Sequence, residues 1–175
     1  MPEFQANIWA PWRMVYIRSL EEVLGDGCFL CRYWSEPARD QANRVLWRSE
    51  RAFVVLNLFP YTNGHMLIAP AAHKAELAEL DESESVELMR YTRDAMAVLR
   101  EAVRAQGFNV GMNFGRCAGA GLPEHLHIHV VPRWEGDTNF MPVLGNAKVI
   151  PQSLDEVYAE LRRAAQRLGL TPAGG

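Results

Sequence analysis

The sequence predicts an α+β domain, an antiparallel β-sheet with one long central helix and a C-terminal helix. Apolar residues recur at intervals of three or four from Ser83 to Gln106 and again from Leu154 to Leu168. Short runs of strand composition lie on both sides of the first helix, and no βαβαβ alternation of the kind that builds a doubly wound parallel sheet is present. The 175 residues, 49% of them hydrophobic, suit a single domain with a full core.

Along the chain, residues 1–37 form an arm rich in aromatics, with Trp9, Trp12, Tyr16, Phe29, Tyr33 and Trp34, expected to pack on the domain or to offer a partner surface. Residues 38–170 form the domain itself, and 171–175 a frayed tail. Phe53-Val54-Val55-Leu56, within Arg51 to Asn57, has strand composition. After the turn signal Tyr61-Thr62-Asn63-Gly64, the run His65-Met66-Leu67-Ile68-Ala69 is a second strand stopped by Pro70, antiparallel to the first. The long helix carries Leu88, Tyr91, Ala95, Leu99 and Val103 on one face. Acidic residues from Asp81 to Glu84 suit its N-terminus, and Gly107 is expected to stop it. Met89, Met96 and Val98 extend its apolar surface beyond one stripe, which marks a candidate interface. Phe108 to Asn113 is a third strand, followed by a glycine-rich loop from Gly115 to Gly121 and a histidine-bearing strand. The last helix presents Leu154, Val157, Leu161, Ala165 and Leu168.

The chemistry concentrates in His125-Leu126-His127-Ile128-His129-Val130-Val131. Period-two alternation puts three imidazoles on one face and Leu126, Ile128 and Val130 on the other, toward the core. Stacking three imidazoles carries an electrostatic and desolvation cost that a purely structural strand has no reason to bear. All five histidines, His65, His73, His125, His127 and His129, fall in or beside the sheet. The glycine loop in front of them suits an anion, since backbone N–H groups approach phosphate oxygens where side chains are absent. Asn113, Gly119, Ala120 and Gly121 are the candidates. A net charge of -3 argues against a general nucleic-acid or anionic-membrane surface, so an anionic ligand must be met locally. No signal-peptide pattern and no membrane-length apolar run occurs, and the protein is expected to be cytoplasmic. Cys28 and Cys31 are spaced as a redox dithiol or as half of a zinc site, with buried apolar cysteines as the plain alternative; Cys117 receives no role.

Residues 125 to 131 resemble the signature of the histidine-triad (HIT) superfamily of nucleotide hydrolases and transferases. The resemblance extends to Asn57-Leu58-Phe59-Pro60, to Gly64-His65 with Pro70 and His73, and to Asn113. Trp9 to Arg13 and Pro132 to Phe140 are similar to bacterial members related to diadenosine tetraphosphate phosphorylases. The resemblance implies a HIT-like fold and a catalytic cluster of His127, His129 and His65. In it, His127 attacks the α-phosphorus of a nucleotide to form a nucleotidyl-histidine, and His129 stabilises the developing charge. It further implies a ribose contact from Asn57, α-phosphate contacts from Asn113 and the backbone of Gly119, Ala120 and Gly121, and a structural zinc on Cys28, Cys31, His73 and His125. Neither an organic cofactor nor a membrane or nucleic-acid partner is expected. A two-fold homodimer formed through the long helix and a neighbouring strand is. The implied activity is cleavage of a (di)nucleoside polyphosphate such as diadenosine tetraphosphate by phosphorolysis or hydrolysis. The alternatives are a nucleoside phosphoramidate hydrolase and a non-catalytic nucleotide-binding regulatory protein.

Overall fold

Five strands form a single antiparallel sheet in the order β1-β2-β3-β5-β4: β1 (Val45–Arg48), β2 (Ala52–Leu56), β3 (Met66–Pro70), β4 (Gly107–Met112) and β5 (Ile128–Arg133). Three helices accompany them among the described residues: α1 (Phe29–Ser35), α2 (Glu82–Val103) and α3 (Leu154–Arg167). The structure is a computed structural model and describes residues 27–137 and 150–171. Trp9, Trp12 and Tyr16 of the arm, and 172–175 of the tail, lie outside the described residues. Thr171, where fraying was expected to begin, is buried.

Both faces of the sheet are covered, and this explains why β2 and β3 are buried at every position. On one face Val54, Leu56, Met66, Ile68, Ile128 and Val130 pack against Leu88, Tyr91, Ala95, Val98 and Leu99 of α2 and against Val157, Leu161 and Ala165 of α3. On the other, Phe53, Val55, Leu67 and Ala69 meet Leu30 and Tyr33 of α1. Strand β1 carries no alternation to betray it. A register shift between Val45 and Trp47 sends Val45 to the α1 face and Trp47 to the α2 face.

Helix α2 begins as its acidic residues suggest. Asp81 caps the N–H of Glu84 at 2.8 Å, and the Glu84 carboxylate returns to the N–H of Asp81 at 2.8 Å. It ends three residues earlier than expected. Arg104 adopts a left-handed conformation (φ 55°), and Gly107 opens β4 instead of stopping the helix. Val98 is fully buried and Met96 packs against the core. Of the three residues expected to widen the apolar surface only Met89 is exposed, at 61%, and Val86 joins it at 61%.

The histidine segment also departs in part from expectation. β5 starts at Ile128, so His125 and His127 precede the ladder in an extended approach, and His65 precedes β3 by one residue. The alternation survives outside the ladder: Leu126, Ile128 and Val130 enter the α2 core, while His129 pairs with Leu67 on the opposite face. Gly64 makes the close approach that sets His65. Its φ is +80°, and a Cβ there would stand 3.0 Å from Leu99 Cδ2. Gly64→Ala should therefore destabilise the fold by roughly 1–3 kcal/mol in denaturant titration, from left-handed strain and overpacking. Gly111→Ala, at ordinary φ with nothing within 4 Å of its Cβ, should stay within about 0.5 kcal/mol.

Candidate active site and metal centre

The imidazole of His65 is fully buried, and its surroundings dictate where its proton sits. The N–H of Phe59 donates to Asn57 Oδ1 at 3.0 Å, which turns the amide nitrogen of Asn57 toward His65 Nδ1 at 3.2 Å. The N–H of Tyr61 donates to the same Nδ1 at 3.1 Å. With two donors aimed at it, Nδ1 carries no proton, so Nε2–H donates to His129 Nδ1 at 3.0 Å. A neutral His129 that accepts at Nδ1 keeps its proton on Nε2; Asn113 Nδ2 stands 3.3 Å from that nitrogen, and turning the amide over brings its oxygen there to accept. Desolvation, reinforced by the neighbouring His127, holds His129 down at a pKa of about 4, so the ring is a neutral donor near pH 7. The Tyr61 ring stacks on His129 at 5.8 Å and 20° and lies 4.7 Å from His65.

His127 is arranged the opposite way. Its Nδ1 donates to the backbone carbonyl of His125 at 2.9 Å, leaving Nε2 with its lone pair. Burial lowers its pKa, which keeps the ring neutral and nucleophilic. The His127 and His129 rings lie 4.9 Å apart at 67°. An unprotonated nitrogen thus stands beside a ring whose outer nitrogen is protonated, an arrangement suited to attack on an electrophile with charge stabilisation alongside.

The glycine loop delivers fewer backbone donors than its composition promises. Gly119 N–H is taken by Arg116 O at 3.0 Å and Ala120 N–H by Gly115 O at 3.3 Å, whereas Gly121 has no such backbone partner among the described residues. Asn57, expected at ribose, has its amide engaged with Phe59 and His65. Tyr61, whose N–H and ring both order the cluster, was not singled out from sequence. It stands inside a turn signal, and the composition of a turn does not reveal which N–H points at a buried ring.

The remaining histidines gather with the cysteine pair. Cys28 Sγ lies 3.1 Å and Cys31 Sγ 3.5 Å from His125 Nδ1, and Cys31 Sγ lies 3.2 Å from His73 Nδ1. All four ligand atoms fall within 4.8 Å of one another. A tetrahedral zinc with two sulfur and two nitrogen ligands has edges of roughly 3.3–3.8 Å, so the donors fit with small adjustments. His125 Nε2–H donates to Pro70 O at 3.0 Å, which leaves Nδ1 free to ligate. Burial pushes the Cys28 thiol up to about 11 and His125 down to about 4: the ring is ligand-ready, and the thiol needs a cation to ionise. Cys28 caps α1, with Cys31 N–H 3.4 Å from its sulfur, and Leu126 N–H donates to Lys74 O at 2.6 Å, bringing the segment after His73 against the one after His125.

Comparison with known proteins bears on the family of the chain. A model of the HIT domain matches residues 38–136. Over 152 residues the chain is 40% identical to AP-4-A phosphorylase of Mycobacterium tuberculosis, a match that covers 85% of this chain and 78% of that protein. It is 30% identical over 95 residues to the asymmetrical bis(5'-nucleosyl)-tetraphosphatase of Schizosaccharomyces pombe, covering 54% of this chain and 52% of that one. A Zn-bound histidine triad family protein from Mycobacterium smegmatis has a similar crystal structure, with a TM-score of 0.67 at 25% identity over 82% of this chain and 96% of that one. With the family model spanning more than half its length, and with His125, His127 and His129 inside that span, the chain belongs to the HIT family.

Proposed function

We propose that this chain cleaves a dinucleoside polyphosphate, diadenosine tetraphosphate in particular, through a nucleotidyl-histidine on His127. The observation that carries the reading is the opposed hydrogen bonding of two neighbouring rings: His127 Nδ1 meets a backbone carbonyl, which leaves its Nε2 the lone pair, whereas His129 Nδ1 faces His65 Nε2, which leaves the proton on its Nε2 beside Asn113. Nε2 of His127 attacks the α-phosphorus and the bond to the bridging oxygen breaks. The departing nucleoside polyphosphate is stabilised by His129 Nε2–H. A second nucleophile then displaces His127. The 40% identity to AP-4-A phosphorylase favours inorganic phosphate in that role. Incubation with diadenosine tetraphosphate and phosphate should yield ADP and ATP. AMP and ATP would assign water as the second nucleophile, and no product would overturn the reading. His127→Ala should lower turnover by roughly three orders of magnitude or more while AMP binding persists, measured by single-turnover kinetics and calorimetry.

The Cys28, Cys31, His73 and His125 set is proposed to hold zinc. As a closed Cys₂His₂ site it supplies structural cross-linking with no open coordination position. These four residues tie α1 to the sheet and anchor the segment whose carbonyl orients His127. Their reduced thiols suit a cytoplasmic location. Metal analysis should find about one zinc per chain, and Cys28→Ser should lose it together with thermal stability. A full zinc complement in that variant would remove Cys28 from the ligand set.

A homodimer is proposed as the working assembly. β4 is an edge strand. Val110 pairs with core-facing Val130 and yet is 46% exposed, which leaves the sheet's helix-covered face open at that edge. A second copy adding its own edge would cover it isologously. Light scattering should give twice the 19.8 kDa chain mass, and Val110→Asp should return it to one. A wild-type mass of a single chain would sink this assembly.

A further inference from the structure

The loop after β4 folds back on itself: Ala118 and Ala120 N–H groups both meet Gly115 O at 3.3 Å, and Gly119 N–H meets Arg116 O at 3.0 Å. Gly115 and Gly119 hold this turn with φ of 74° and 88°. The donors that composition assigned to phosphate are thereby spent largely on the loop's own geometry, and among the described residues the polar groups of the histidine cluster are imidazoles, amides and backbone, none of them a fixed cation. A dinucleoside polyphosphate carries several negative charges that such a site does not neutralise. Between Ala105 and Arg133 the chain has two charged side chains, Arg116 and Glu124. Both are exposed. The Arg116 guanidinium makes no hydrogen bond or ion pair with the described residues, whereas Arg133 and Lys74 are committed to Asp137 and Glu84. Arg116 follows Asn113, whose amide touches His129, by three residues. That separation is no more than about 11 Å even for extended chain.

We propose that Arg116 binds the phosphates beyond the α-phosphate, so that the site selects nucleotides with two or more phosphates over nucleoside monophosphates. The inference rests on reading the histidine cluster as a nucleotide site. A guanidinium matches phosphate oxygens bidentately, and its charge acts only on substrates long enough to reach it.

The test is direct binding of ATP and of AMP by calorimetry to the wild-type protein, Arg116→Ala and Arg116→Lys, with thermal melts to verify that each variant is folded. Arg116→Ala should weaken ATP by about tenfold to a hundredfold and AMP by less than about twofold, with Arg116→Lys in between. Equal weakening of both nucleotides, or of neither, overturns the proposal. The outcome is separable from that of the catalytic reading. A wild-type protein that binds both nucleotides but cleaves no dinucleoside polyphosphate loses the proposed activity while the ATP-to-AMP ratio still judges Arg116. One that binds neither loses both.

Discussion

Past Ile68 and Ile128 the pairing of β3 with β5 stops, and two hydrogen bonds take over the task of holding the chain: Leu126 N–H to Lys74 O, and His125 Nε2–H to Pro70 O. His125 and His127 both hang on this short segment outside the ladder. The Pro70 bond fixes the His125 ring with Nδ1 toward the two sulfurs, and the His125 carbonyl fixes the His127 ring with Nε2 outward. One residue thus presents its side chain to the cysteine pair and its main chain to His127. A ladder would have spent that carbonyl on a neighbouring strand.

The site works with neutral groups. Burial depresses the pKa of His125, His127 and His129 alike, because charging an imidazole there forfeits hydration that no carboxylate among the described residues of the cluster replaces. Neutral rings have one donor and one acceptor each, so a chain of them has a direction. Here that direction is set at its far end by two N–H groups, those of Phe59 and Tyr61, belonging to the turn before β3. The proton position on His129 is therefore decided by backbone geometry in a distant part of the chain.

What the sequence made legible follows from this. The alternation of His125, His127 and His129 against Leu126, Ile128 and Val130 was visible because facing depends on extended backbone, whether or not a ladder forms. The grouping of Cys28, Cys31, His73 and His125 was visible through the family resemblance. The start of the ladder was not, since it depends on the partner strand. Nor was β1, where a bulge between Val45 and Trp47 breaks the period that reveals a half-buried strand. The end of α2 was misplaced because a non-glycine residue, Arg104, takes the left-handed cap. The backbone donors of Gly119 and Ala120 looked available because a composition-based reading registers N–H groups but not the turn that consumes them.

Glu84 has a reach beyond its place in the capping box. Its carboxylate takes the N–H of Asp81 at the head of α2 and the ammonium of Lys74 at 2.5 Å, and the carbonyl of Lys74 in turn receives Leu126 N–H. The first turn of a long, deeply packed helix is thereby joined through one carboxylate to the segment between two histidines. In hydrogen-exchange terms, the Leu126 amide beside His127 draws protection from the helix, opening with it as one cooperative unit and not with the fraying of an irregular loop.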